Sequence, residues 1–263
     1  MSFLAAVADS RESFAQRYTH YNLFPAMKIL VLTSILPYPK NRGDKTRLAY
    51  VIEHLSEFAE VRVVSIDRTW EEIPPQDSIP DLPSVAVVRY PVGKNKVVAR
   101  AVKNFLSLKP FKVFWFASAG FIKLVQKEVD EFNPDVIWSF QVDMNPVAER
   151  IQTKAKKIID LLDPLSAQSL TIRQAKDTSR TAKIVANTQL NLSRYERKAL
   201  LNNDYIYVSS PTNFSYIQDT YPQEFEKVRD RIDSLSPCVP DIYFHTPWQP
   251  NRRIEILFVG NLS

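Results

Sequence analysis

The sequence predicts an α/β protein with a doubly wound, mostly parallel Rossmann-like sheet. Three observations carry that prediction. Short, nearly continuous apolar runs of strand length recur along the chain, helical patterns lie between them, and a chain of 263 residues with 45% hydrophobic and 24% charged residues can bury a large core. Strands covered on both faces read as unbroken β-branched or aromatic runs, whereas half-exposed strands alternate.

The elements follow in order. Strands are expected at Lys28–Thr33, Val61–Ile66, Val85–Tyr90, Asp135–Phe140, Lys157–Leu162, Tyr205–Ser209 and Ile254–Val259. Helices are expected at Lys45–Phe58, Val97–Leu108, Gly120–Phe132 and Asn145–Thr153, and in the long stretch Ala167–Asn202. Glu71–Pro83 holds four prolines and four acids and reads as a surface loop. Residues 237–253, with four prolines between Pro237 and Pro250, read as a connector between domains. The organisation expected is therefore an extension over residues 1–26, a Rossmann-like domain over 27–236, the connector, and over 254–263 the first strand and loop of a truncated second domain.

Composition narrows the function. A net charge of +5 suits an anionic ligand or surface, but acids are interspersed among the bases, and no nucleic-acid partner is expected. One cysteine, Cys238, excludes an intrachain disulfide, and His20, His54 and His245 are too scattered for a metal site. Neither a cofactor nor a metal is expected. No apolar run approaches the ~18 residues that span a bilayer, and the N-terminal 26 residues make a poor signal peptide. The cytoplasm is the compartment this composition suits.

Candidate chemistry gathers at strand ends, where open parallel sheets bind ligands. The loop SILPYPKNRGDKTR (Ser34–Arg47) leaves the first strand through two prolines and spends one of only 4 glycines at Gly43. A glycine ahead of a helix lets backbone N–H groups approach an anion or a sugar hydroxyl, while Asp44 suits either a helix cap or a ligand contact. The loop has neither GxGxxG nor GxxxxGK[ST], which disfavours a dinucleotide site and a P-loop. In IIDLLDPLS, Asp160 and Asp163 end the fifth strand and can accept hydrogen bonds from hydroxyls, or serve as a base or a turn. Asp143, after the fourth strand, fits a helix cap or the same polar edge. No Ser/His/Asp or Cys/His arrangement is visible, which argues against triad hydrolysis. The segment Lys94–Phe116 combines an apolar stripe (Val97, Val98, Ala101, Val102, Phe105, Leu106) with basic residues and aromatics. It suits either packing on the sheet or contact with an anionic membrane surface.

Taken in order, MKILVLTSILPYPKNRGDKTRLAYVIEHLS, DVIWSF, IIDLLDPLS, RYERKALLNNDYIYVSS, SPCVPDIYF and ILFVGNLS resemble the N-terminal half of a family 4 (group 1) glycosyltransferase of the GT-B fold. The resemblance implies a retaining, metal-independent transfer from a UDP- or GDP-linked sugar to a saccharide or lipid-linked acceptor, as in polysaccharide biosynthesis. It further implies substrate-binding roles for Gly43, Asp44 and Arg47, for Asp160, Asp163 and Ser166, and for Gly260 and Asn261 on the donor side. Many relatives carry a histidine after the fourth strand, where this chain has Gln141 to Asp143 instead, so the catalytic residue is left unassigned. The donor domain being absent after Ser263, the chain is expected not to turn over by itself. A non-catalytic module bound at the inner face of a membrane, or on a partner enzyme, is the competing expectation.

Overall fold

A computed structural model describes residues 27–70, 82–106, 113–174, 179 and 192–236. Seven strands form one sheet: β1 (Met27–Thr33), β2 (Ala59–Arg68), β3 (Val85–Val92), β4 (Val136–Phe140), β5 (Lys156–Asp160), β6 (Tyr205–Val208) and β7 (Ile232–Ser234). Their order is β3-β2-β1-β4-β5-β6-β7, and every neighbouring pair is parallel. The sheet therefore grows outward from β1 in one direction, returns, and grows from β4 in the other. Between β1 and β4 the winding reverses, and the loops on either side part to leave a crevice.

Alternation within β1 explains the layering. Leu30 and Leu32 join one core with β2, β4 and the helices α2 (Lys94–Leu106), α3 (Ala119–Phe132) and α4 (Asn145–Ala148), whereas Ile29 and Val31 face a second core with α1 (Gly43–Ser56). Successive side chains in a strand point to opposite faces, so an all-apolar strand needs cover on both. Leu48, Ile52 and Leu55 supply it from α1 at helical spacing, and each is at most 2% exposed. A third core joins β5 and β6 to α6 (Leu192–Asn202), α7 (Pro211–Thr220) and α8 (Pro222–Val228).

Boundaries moved where local chemistry was subtler than periodicity. Helix α1 opens two residues earlier than expected, with Arg42 at the N-cap position, so Asp44 lies within the first turn and does not cap. The helix after β4 stops at Ala148, four residues long, with Met144 before it and no cap from Asp143. The stretch Ala167–Asn202 contains two separate helices, α5 (Leu165–Gln174) and α6. Strand β3 runs on through Pro91, which an edge strand tolerates because its N–H is not needed by a neighbour. Strand β7, Ile-Asp-Ser, is too short and polar to be read from sequence. The strand expected at Ile254–Val259, the connector and the N-terminal extension lie outside the described residues.

Candidate functional site

The crevice at the winding reversal holds a cavity of about 360 Å³. Its carboxylates come from three elements: Asp44 from α1, Asp143 from the loop after β4, and Asp163 from the loop after β5. Arg68 at the end of β2, Trp115, Gln141 and Gln168 complete its polar and aromatic wall. Of the residues singled out in the sequence, then, Asp44, Asp143 and Asp163 meet in one cavity. Gly43 opens α1 beside it. A Cβ built on Gly43 meets no atom within 4 Å, so nothing in the described fold requires glycine there and the space in front of it is open.

Arg47, Asp160 and Ser166 lie behind that wall. The Arg47 guanidinium is 3% exposed and donates to Asp160 Oδ2 from Nη2 at 2.8 Å and from Nε at 3.3 Å. It also donates from Nη1 to the Leu235 carbonyl just past β7. Asp160 in turn holds both loops that floor the cavity. Its Oδ1 accepts the Leu162 N–H at 3.1 Å and its carbonyl accepts the Gln141 N–H at 2.9 Å. Gln141 and Leu162 are held in the left-handed region, at φ 71° and 55°, where β-carbons are unfavourable and a rigid surround is needed. Burial raises the Asp160 carboxyl above its ordinary value against the opposing pull of Arg47.

Ser166 belongs to a second buried cluster. Its N–H donates to Glu196 Oε1 at 3.1 Å, its Oγ accepts from Tyr216 at 3.0 Å, and the Tyr221 hydroxyl donates to Glu196 Oε2 at 2.8 Å. These bonds fix the start of α5, the helix that carries Gln168 to the cavity. Gly260 and Asn261 lie outside the described residues.

Electrostatics separate the three cavity carboxylates. Burial pushes Asp44 up, but the Arg42 guanidinium bonded to it, the Lys45 N–H and the Arg68 charge hold it below the ordinary carboxylate range. Asp163 Oδ1 accepts from Ser209 Oγ at 2.7 Å and Asn213 Nδ2 at 2.6 Å. Asp143 is different: burial pushes its carboxyl up to about 6, against the Ser34 hydroxyl and the Arg68 charge. Its Oδ1 is buried with no hydrogen-bond partner among the described residues. Leaving such an oxygen unpaired costs about 1–3 kcal/mol; Asp67 Oδ1 is also buried without a partner among the described residues, but its Oδ2 pairs with Arg89 at 2.9 Å. Arg68 Nη2 donates to Ser34 Oγ at 3.2 Å and its guanidinium lies 5.1 Å from the Phe116 ring centre.

Sequence reasoning did not find Arg68, Trp115 or Gln168. Arg68 closes the strand VRVVSIDR, and a charged residue at the carboxyl end of a parallel strand was the available signal. Trp115 was hidden in an aromatic stretch read for membrane contact; Val113 and Phe116 of that stretch are buried and Trp115 lines the cavity. Among the described residues no group of three or more His, Cys, Asp or Glu could hold a metal ion, and no helix is long and apolar enough to cross a membrane.

Sheet order and known structures agree on the class of fold: the chain has the Rossmann-like α/β fold of one half of a GT-B protein. Sucrose-phosphate synthase from Thermosynechococcus elongatus shares it at 14% identity, over 84% of this chain and 50% of its own, with a TM-score of 0.51. Os79 from O. sativa, solved in complex with UDP, matches at 15% identity over 86% of this chain and 56% of its own, with a TM-score of 0.49. The chain thus spans about half the length of these two structures. No protein-family model and no curated protein matches it.

Proposed function

We propose that the chain is the acceptor-side wall of a retaining, nucleotide-sugar-dependent glycosyltransferase of the family 4 type. The observation that carries this reading is the cavity at the winding reversal, opened by a helix start whose glycine faces free space. In such an enzyme a sugar passes from a nucleoside diphosphate to an acceptor hydroxyl, and the chemistry needs the hydroxyl held and water excluded at a cleft between two walls. Asp143 and Asp163 present acceptor oxygens to sugar hydroxyls, and Trp115 offers a ring face to a sugar. Backbone at Gly43 gives the donor's sugar room to approach, while Arg47 and Asp160 hold the loops beneath in place. The donor's own ligands belong to a second domain, and the expected donors are UDP- or GDP-linked sugars.

Saturation-transfer NMR with UDP-glucose and GDP-mannose tests the reading. Transfer to the sugar protons of at least one donor is expected, and Gly43→Ala, whose added methyl group meets no described atom within 4 Å, should weaken it. A chain that transfers saturation to neither nucleotide sugar nor to any saccharide would overturn the proposal.

One observation also favours docking at a membrane surface in the cytoplasm, as an addition to transfer. Val98 and Val102, one turn apart on α2, are 53% and 54% exposed, with Lys94 and Lys96 exposed on the same helix. Apolar side chains flanked by lysines suit an anionic bilayer. Sedimentation with phosphatidylserine vesicles should retain the chain and lose the double variant Val98→Ser, Val102→Ser; equal pelleting of the two removes this part.

A further inference from the structure

We infer that the cavity takes an uncharged polyhydroxylated acceptor and discriminates against a phosphorylated or carboxylated one. The inference deepens the acceptor-wall reading above and rests on it.

Its basis is that, among the described residues, the helix starts at the cavity each carry a carboxylate and the cation in its lining is already engaged. Anions bind at uncommitted guanidinium or ammonium groups and at helix N-termini, where N–H groups and the helix dipole converge. The start of α1 carries Asp44 in its first turn, and the Arg42 beside it is bonded to that carboxylate. The start of α5 follows Asp163, whose oxygen is fixed there by Ser209 and Asn213. Arg68, the one cation in the cavity lining among the described residues, donates to Ser34 and acts electrostatically on both Asp44 and Asp143. Among those residues a phosphate entering this space meets three carboxylates for one guanidinium. It would have to compete with a carboxylate at each helix start and with Ser34 for Arg68.

The same wall suits hydroxyls. Ionised carboxylates are acceptor-only groups, and sugar hydroxyls donate readily to them. Asp143 Oδ1 lacks a partner, and Gln141 and Gln168 add groups that both donate and accept. Hydrogen bonds to charged acceptors and stacking on Trp115 give orientation without requiring charge on the ligand.

Saturation-transfer NMR on the 263-residue chain tests this, with methyl glucoside, methyl mannoside and N-acetylglucosamine set against glucose 6-phosphate and mannose 6-phosphate, and UDP-glucose in parallel. At least one neutral sugar should bind about tenfold more tightly than its phosphate, the worth of one charge-assisted hydrogen bond. Asp143→Asn should weaken the neutral sugar and narrow that gap. Gln168 is exposed, so Gln168→Lys leaves the fold intact; it should improve sugar-phosphate binding about fivefold, the worth of an exposed ion pair. Equal or tighter binding of the sugar phosphates to the native chain, with UDP-glucose bound, overturns this inference and leaves the transferase reading standing. Absence of binding by every sugar and by UDP-glucose overturns both.

Discussion

The carboxylates beneath the cavity and Asp143 in its wall differ in how they are paired. In the frame below, Asp160 is 0% exposed, yet its side chain and carbonyl are engaged by Arg47, Leu162 and Gln141, and Glu196 is likewise enclosed by Ser166 and Tyr221. In the wall above, Asp143 keeps a buried oxygen unpaired, Gly43 faces empty space, and Gln141 and Leu162 sit at strained backbone angles. Sequences that fold well satisfy local rules nearly everywhere, and violations concentrate where a ligand is to supply what is missing. The difference separates residues that hold the site from residues that would use it. Substitutions in the frame should cost stability, whereas substitutions in the wall should add stability and remove binding.

The largest effect is expected at Arg47. Arg47→Met fills similar space but leaves Asp160 buried with no cation, and breaking a buried pair from one side costs about 3–5 kcal/mol. Urea denaturation should show that loss; less than about 1 kcal/mol would mean that Asp160 finds its compensation elsewhere and the frame is not built around this pair. The loops at Gln141 and Leu162 should loosen too, visible as faster amide exchange there.

Asp143 is the sharpest case in the wall. Because its folded pKa of about 6 lies above the ordinary 3.8, the protonated form is the one the fold prefers. Its contribution to stability is complete below about pH 4 and is lost as pH rises through about 6. Asp143→Asn should therefore raise stability at pH 8 by up to about 3 kcal/mol, converted from that shift, and leave stability at pH 3 unchanged. Saccharide binding should weaken in the same variant. A variant less stable than the native chain at pH 8 would move Asp143 into the frame.

That division shows what was legible in the chain. Near-continuous apolar runs such as Ile29–Leu32 can only be buried strands, so the parallel sheet and the crevice at its reversal were readable. The meeting of the Asp44, Asp143 and Asp163 loops at one cavity was readable because strand ends are where parallel sheets open. What separates Asp160 from Asp163 was not. They stand three residues apart with similar local sequence, but one points under the loop towards Arg47, 113 positions away, and the other stays at the rim. Long-range pairing of that kind leaves no local signature. Arg68 and Trp115 were missed for a related reason, since each arrives from an element whose pattern speaks of a strand or an apolar stripe.

In the frame, Tyr221 gives a test of moderate size. Tyr221→Phe keeps the ring in its core but withdraws the hydroxyl that donates to Glu196 Oε2. Burial already raises Glu196 above its ordinary value, and removing a donor raises it further. Stability should fall by about 1–2 kcal/mol at pH 7. The loss should shrink at acidic pH, where Glu196 is protonated in both folded and unfolded chains. A loss independent of pH would assign the effect to packing.

Gly43 should show the smallest change in stability and a clear change in binding. It opens α1, its backbone lies outside the left-handed region, and an added methyl group meets nothing. Alanine there removes freedom from the unfolded chain without straining the folded one, worth about 0.5 kcal/mol in favour of the fold. If the open space is where the donor's sugar meets the helix start, the same methyl group stands in the ligand's path, and binding of UDP-glucose should fall while the melting temperature rises slightly. If Gly43→Ala binds as well as the native chain, the free space beside α1 is ordinary surface. The wall would then reduce to Asp143 and its neighbours at the ends of β4 and β5.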